Sequence, residues 1–164
     1  MIECKNITKV FNQNKKNEQT ALKGINLKFE KGELIVLKGS SGSGKSTLLS
    51  LIAALSKPTV GEIIVDDKRV SKMPDNFTAM FRRDNIGFIF QKYNLIPTLG
   101  VYENIIIPTI PSNPEENELS KRVDALLEMF SITGKKDSLV KNLSGGEQQR
   151  VAIARALIND PSII

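Results

Sequence analysis

The chain has 164 residues, 40% of them apolar and 25% charged, and a net charge of +5 from 23 basic and 18 acidic side chains. These values are ordinary for a soluble globular domain, and the sequence contains no internal repeat or low-complexity tract. No stretch approaches the ~20 apolar residues of a membrane span, and residues 1–5 lack the apolar core of a signal peptide, so we expect a cytoplasmic protein. The lysines are scattered, and the two clusters, Lys15–Lys16 and Lys135–Lys136, lack neighbouring aromatics, which favours a solvated surface over a nucleic-acid partner.

The first half of the chain is predicted to be rich in β-strands. The single cysteine, Cys4, lies in a strand-like run and is interpreted as a small packed side chain. Residues 12–20 are polar and predict a hairpin loop, and the alternation of Ile25, Leu27 and Phe29 with polar residues predicts a half-buried strand. The continuous apolar run Leu34–Leu37 predicts a strand covered on both faces, as in a parallel sheet. Further predicted elements are a helix over 47–55 and strands over 62–65 and 86–90.

The second half is predicted to be helical. Asn113 is a candidate helix cap, with Pro114 at the first helical position. The spacing of the apolar residues that follow predicts one buried stripe, and Gly134 is a plausible end of this helix. The stripe consists of Leu119, Val123, Leu126, Leu127 and Phe130. A last helix is predicted over 145–158, followed by the start of a strand at Ile163–Ile164, which together indicate an α/β core with a helical insertion.

The strongest local signal is a phosphate-binding loop, residues 39–47, which fits the pattern G-x-x-x-x-G-K-[ST]. Glycines let successive backbone N–H groups point inward, and the N-terminus of the following helix adds partial positive charge, so the segment suits a triphosphate. Lys45 is expected to reach the β- and γ-phosphates, Ser46 to bind Mg²⁺ and Thr47 to contact the α-phosphate. The candidate ligands are Gly39, Ser40, Ser41, Gly42, Ser43, Gly44, Lys45, Ser46 and Thr47.

A second motif, the signature segment Leu143–Arg150, reads LSGGEQQR. Ser144 and Glu147 have the spacing of a capping box at a helix start. Gly145 and Gly146 expose bare N–H groups there, and glycine in a first helical turn costs stability, so these residues need another reason to be present. We interpret the segment as a second anion site.

With these two motifs the sequence resembles the ABC ATPase family over essentially its whole length, because the phosphate loop, a glutamine (Gln91) and the signature appear in the family order. Finer resemblance indicates the branch of LolD, MacB and FtsE. The segments that carry it are Arg82–Arg83, Ile86–Gln91, Asn94–Pro97, and Val101–Asn104 followed by Pro108.

The resemblance implies a P-loop NTPase (RecA-like) core with an N-terminal antiparallel β subdomain, over about residues 1–91, and an inserted helical subdomain, over about 92–158. It also implies a head-to-tail dimer sandwiching ATP and Mg²⁺, peripheral on the cytoplasmic face of the inner membrane beside an integral permease. Phe11 would stack on adenine, and Lys45 and Gln91 are the catalytic candidates, with Gln91 and Ser46 at Mg²⁺. Ser144, Gly145, Gly146 and Glu147 would meet the γ-phosphate of the other subunit.

In this family a strand ending in Asp-Glu follows the signature helix, and a histidine comes later. The sequence ends at Ile164 and contains no histidine. We therefore expect a C-terminally truncated member that binds ATP without efficient hydrolysis. A missing central strand would also leave apolar surface exposed, giving marginal stability, aggregation or exchange of elements between copies.

The leading functional hypothesis is the ATPase subunit of an ABC transporter for export or lipoprotein release. One alternative is a soluble ABC ATPase acting on DNA or ribosomes, although the segment between Gln91 and Ser144 leaves no room for the long coiled coil of DNA-repair members. Another is a nucleotide-binding module that does not hydrolyse ATP.

Overall fold

The computed structural model describes all residues, 1–164, and divides into two compact units, Met1–Phe81 and Arg82–Ile164. These are the first unit and the second unit, and the subdomain boundaries expected near residues 91 and 158 remain predictions. No helix is both long and apolar enough to cross a bilayer. The regular elements are β1 (Ile2–Phe11), β2 (Gln19–Phe29), α1 (Lys45–Ile52), β3 (Val60–Val65), α2 (Asp75–Asn85), α3 (Val101–Ile106), α4 (Glu116–Met129) and α5 (Gly145–Leu157).

The first unit is built on a three-stranded antiparallel sheet in the order β2-β1-β3. The predicted hairpin loop is confirmed, because the polar residues 12–18 connect β1 to β2. Cys4, in the central strand, pairs with Leu27 on one side and Ile63 on the other. Cys4 is 2% exposed, which confirms the packed side chain expected from the sequence, and this burial raises the pKa of its thiol to about 11. Ile7, in the same strand, is completely buried.

Two predicted strands do not form as expected. Residues 33–40 form no strand, and Leu34 and Val36 are 93% and 67% exposed instead of buried. A strand exists only where a neighbour pairs with its N–H and C=O groups, and the structure places no such neighbour beside this run. Of the predicted strand over 86–90, only Ile86 pairs, in a parallel bridge to Ile163. Gln91 therefore follows an irregular segment, and not the strand that was predicted before it.

The second unit packs its helices around an apolar core. Val101 and Ile105 of α3, Val123 and Leu127 of α4 and Val151 of α5 are all completely buried. The stripe predicted along α4 is confirmed, because Leu119 is also buried and Leu126 and Phe130 pack against the same cluster.

The predicted ends of α4 are wrong by several residues. Asn113 is left-handed (φ 44°), and its N–H closes a preceding 3₁₀ turn on the Ile110 carbonyl at 3.2 Å, so it does not cap α4. The helix begins after Glu115. It ends at Met129, and the left-handed residue beyond it is Ser131 (φ 54°), whereas Gly134 lies in a later 3₁₀ turn.

Candidate nucleotide site

The phosphate loop places an uncapped helix start at the surface of the first unit. Gly44 is the residue before α1, with a left-handed backbone (φ 89°) and no side chain capping the helix. The first intrahelical bond runs from the Leu48 N–H to the Gly44 carbonyl at 2.8 Å. The N–H groups of Lys45, Ser46 and Thr47 therefore lack intrahelical acceptors, as the first turn of a helix always does. Together with the helix dipole, they offer donors and partial positive charge to an anion.

The loop lies close against β2, and this explains the glycine at position 44. A Cβ on Gly44 would come within 2.6 Å of the Ala21 carbonyl oxygen and 2.8 Å of Leu22 Cδ2. Gly42 is also left-handed (φ 79°), but it faces open space. Both positions therefore need the backbone freedom of glycine. Gly44 alone also needs the absence of a side chain, because the loop packs closely against β2 there.

The side chain of Lys45 is turned back onto its own loop. Its Nζ donates to the carbonyls of Gly39 at 2.9 Å and Ser40 at 2.7 Å, and to the Ser43 hydroxyl at 3.3 Å. The ammonium lies within the curl of the loop, where it adds a full positive charge to the free N–H groups. A phosphate that binds the Lys45 ammonium must replace the two carbonyls and the hydroxyl as its hydrogen-bond acceptors.

A cavity of about 320 Å³ opens between the loop and the end of the β1–β2 hairpin. Phe11, 42% exposed at the end of β1, contributes an aromatic wall, with Lys9 Nζ 5.3 Å from its ring centroid. Gly39 and Ser40 do not line the cavity, but their carbonyls accept hydrogen bonds from Lys45, which does. The lining residues are Phe11, Gln19, Ala21, Ser41, Gly42, Ser43, Gly44, Lys45, Ser46 and Thr47.

Sequence reasoning missed two of these residues, Gln19 and Ala21. Gln19 is the cross-strand partner of Phe11, so the hairpin pairing brings it to the same edge. Ala21 lies beside the loop because β2 packs against Gly44. The signal that could have found them is the register of the predicted hairpin.

The signature segment forms a complete capping box in the second unit. The Ser144 N–H and hydroxyl both donate to Glu147 Oε2 at 2.8 Å, and the Glu147 N–H donates to Ser144 Oγ at 3.4 Å. The bond from the Ser144 backbone N–H, together with its hydroxyl and the nearby Lys135 ammonium, lowers the pKa of Glu147. The predicted cap is thus confirmed, and the carboxylate stays ionised at neutral pH.

The glycines of this segment are open to solvent. A Cβ on Gly145 would meet nothing within 4 Å, and one on Gly146 would meet only Arg150 Nη1, at 3.9 Å. Neither glycine has a left-handed backbone. Neither packing nor backbone strain within the chain therefore explains these two glycines. Their effect is to leave the surface at the start of α5 free of side chains.

Gln91 lies in the second unit, exposed, in the turn that begins at that residue. Phe11 and the phosphate loop are brought together in the first unit, whereas Gln91 and the signature segment belong to the second. The chain contains no group of three or more acidic or cysteine side chains placed to hold a metal.

Comparisons with known proteins converge on one family. A family model described as ABC transporter matches residues 22–164. The chain is 46% identical to an uncharacterized ABC transporter ATP-binding protein, MJ1508 of Methanocaldococcus jannaschii, over 100% of the chain and 73% of that protein. It is 43% identical to the methionine import ATP-binding protein MetN of Histophilus somni, over 100% of the chain and 47% of that protein. It is 37% identical to the lipoprotein-releasing system ATP-binding protein LolD of Saccharophagus degradans, over 100% of the chain and 72% of that protein.

A solved structure agrees with these relatives. The structure described as the dimeric structure of MJ0796, a bacterial ABC transporter cassette, superposes with a TM-score of 0.90 at 42% identity. The match covers 98% of this chain and 71% of that one. The chain thus spans about half to three quarters of the proteins that it matches.

Proposed function

The chain belongs to the ABC transporter family, and we propose that it is the ATP-binding part of a subunit that couples ATP binding and hydrolysis to transport across a membrane. The observation that carries this proposal is the cavity of about 320 Å³ in which Phe11 faces the phosphate loop. It offers an aromatic surface at one end and free N–H donors with an ammonium at the other, which is the chemistry of a nucleoside triphosphate.

In the bound state the adenine stacks on Phe11 and the phosphates lie over the N-terminus of α1. The N–H groups of Lys45, Ser46 and Thr47 donate to phosphate oxygens, and the Lys45 ammonium leaves its loop carbonyls for the β- and γ-phosphates. The Ser46 hydroxyl would bind Mg²⁺, and Gln91 is kept as a candidate residue for Mg²⁺ or the attacking water. When bound, the ion neutralises phosphate charge. The donor set fits, because Mg²⁺ keeps several waters and needs few protein ligands.

The signature segment acts on the ATP of a second copy. Ser144, Gly145 and Gly146 present a hydroxyl and open N–H groups at the start of α5, and nothing in the chain covers the glycines. Glu147 holds Ser144 in place through the capping box. The dimeric state named for MJ0796 supports a paired arrangement, in which the γ-phosphate bridges two chains.

For the transported substrate we propose lipoprotein release or export at the cytoplasmic face of the bacterial inner membrane, with an integral permease as partner. The local motifs of residues 82–108 support this, as does LolD, of which the chain covers 72%. Methionine import is a second candidate, because MetN is the more similar of the two at 43% identity.

The binding half of the proposal is tested with a fluorescent ATP analogue and Mg²⁺. Removing the ammonium in Lys45→Ala is expected to weaken binding about 10- to 100-fold, because a hydrogen bond to a charged group contributes about 1.5–3 kcal/mol. Lys121→Ala, on the exposed face of α4, is the matched control and should bind like the unchanged protein. Equal affinity of the two variants would contradict the site.

The transport half is tested in cells. A strain carrying Lys45→Ala in its own gene is expected to retain lipoproteins at the inner membrane and to take up labelled methionine at the normal rate. The reverse pattern assigns import, and normal behaviour in both assays argues against either cargo.

A further inference from the structure

Arg155, in the last turn of α5, holds the turn that follows Gln91. Its Nη1 donates to the Asn94 carbonyl at 2.7 Å and its Nη2 to the Tyr93 carbonyl at 2.5 Å. The side chain is half-buried and forms no ion pair, and burial lowers the pKa of its guanidinium. Removing a cation from water without a carboxylate partner costs free energy. The hydrogen bonds to the two carbonyls offset this cost.

The backbone that Arg155 holds is strained. Tyr93 and Asn94 are consecutive residues in the left-handed region, with φ of 59° and 48°. Asparagine tolerates this conformation, but a bulky residue such as tyrosine rarely adopts it and needs its surroundings to impose it. The guanidinium is a planar fork of donors, which suits two adjacent carbonyls that both accept from it. A lysine offers only a point charge there.

The other end of the segment is also fastened to α5 and to the residues after it. The Ile163 N–H donates to the Asn85 carbonyl at 3.0 Å, and the Gly87 N–H donates to the Ile163 carbonyl at 2.8 Å. A Cβ on Gly87 would collide with the Ala156 carbonyl oxygen, so the backbones lie in direct contact. Gln91 is exposed and lies outside regular structure. It therefore lies between two attachments to α5, the Gly87–Ala156 contact before it and the Arg155 hydrogen bonds after it.

We propose that Arg155 is a positioning residue for Gln91: by holding the carbonyls of Tyr93 and Asn94 it fixes where the Gln91 amide lies relative to α5, the helix that begins at the Ser144–Glu147 cap. This inference rests on the proposed function, in which Gln91 serves Mg²⁺ or the attacking water. It adds that the signature helix and the Gln91 turn respond to nucleotide together, because one side chain joins them.

The first test measures the turn directly, by hydrogen–deuterium exchange in the full-length protein. Arg155→Lys is expected to raise amide exchange over residues 91–94 by about tenfold or more, because the strained turn loses its forked partner. Arg122→Lys is the matched control, since Arg122 is exposed on α4 and bonds only Glu118, at 2.8 Å. Unchanged amide exchange over residues 91–94 in Arg155→Lys would overturn the proposal that Arg155 holds this turn.

The second test is a double-mutant cycle on single-turnover ATP hydrolysis. Arg155→Lys alone is expected to slow the chemical step about 10- to 100-fold while ATP affinity stays unchanged. In a Gln91→Ala background the same change should slow it less than about twofold, because the group that it positions is gone. Equal slowing in both backgrounds shows that Arg155 acts elsewhere and overturns the inference.

The two proposals fail in distinguishable ways. Full hydrolysis by Gln91→Ala contradicts the role given to Gln91, and with it the catalytic part of the inference. Normal ATP binding by Lys45→Ala contradicts the nucleotide site and leaves the exchange result untouched. Both tests use Arg155→Lys, so their outcome does not depend on whether Arg155→Ala folds.

Discussion

Gly44→Ala is expected to be among the most damaging single-methyl changes in the first unit. The new Cβ has two costs that the structure separates. A left-handed backbone (φ 89°) costs a non-glycine residue about 1–2 kcal/mol. The methyl group also lies 2.6 Å from the Ala21 carbonyl oxygen and 2.8 Å from Leu22 Cδ2, and such overpacking costs about 1–3 kcal/mol more. The free energy of unfolding should therefore fall by about 2–5 kcal/mol.

The matched control is Gly42→Ala, which has nearly the same backbone (φ 79°) but nothing within 4 Å of the new methyl group. It should lower the free energy of unfolding by about 1–2 kcal/mol, the conformational cost alone. The assay is urea denaturation of both variants beside the unchanged protein. Equal losses would refute the claim that β2 presses against the loop, and no loss in Gly42→Ala would refute the backbone argument.

Two further predictions concern the start of α5. Gly145→Ala should raise the free energy of unfolding, by up to about 1 kcal/mol, yet slow ATP hydrolysis by the full-length protein, because its methyl group meets nothing in its own chain and obstructs only a partner's phosphate. Gly134→Ala, equally open, is the control, and unchanged hydrolysis in Gly145→Ala would remove the reason given for the glycine. The folded-state pKa of Glu147 lies below its usual value of 4.5, so its carboxylate stabilises the fold above that pH, and the effect is lost as pH falls through the folded-state pKa. Glu147→Gln should therefore be less stable than the unchanged protein near pH 7 and approach it in acid, whereas a gap that persists in acid, or one shared by the surface variant Glu128→Gln, would contradict this cause.

The parts of the site that were predictable from sequence are the local ones. The Ser144–Glu147 cap joins residues that are three apart, and the glycines of the phosphate loop act on their own backbone. Both interactions are local, so a short sequence pattern is enough to predict them. The strand predicted at Leu34–Leu37 does not form, because apolar residues make a strand only when a neighbour supplies hydrogen bonds, and the local pattern does not show whether one does.

The misses have the same origin. Gln19 lines the cavity because it pairs with Phe11, and Arg155 matters because it bonds a turn about sixty residues earlier in the chain. Neither contact leaves a periodic trace in the sequence. At Asn113, two local preferences competed, and the left-handed turn prevailed over the helix cap.

The most direct test of the account is a crystal structure of the protein with Mg²⁺ and ATP. We predict that Lys45 Nζ leaves the carbonyls of Gly39 and Ser40 and lies about 3 Å from phosphate oxygens. The N–H groups at the start of α1 should donate to the same phosphates, and the adenine should lie against Phe11. Nucleotide bound elsewhere, or phosphates in the loop with Lys45 still holding both carbonyls, would contradict the central claim.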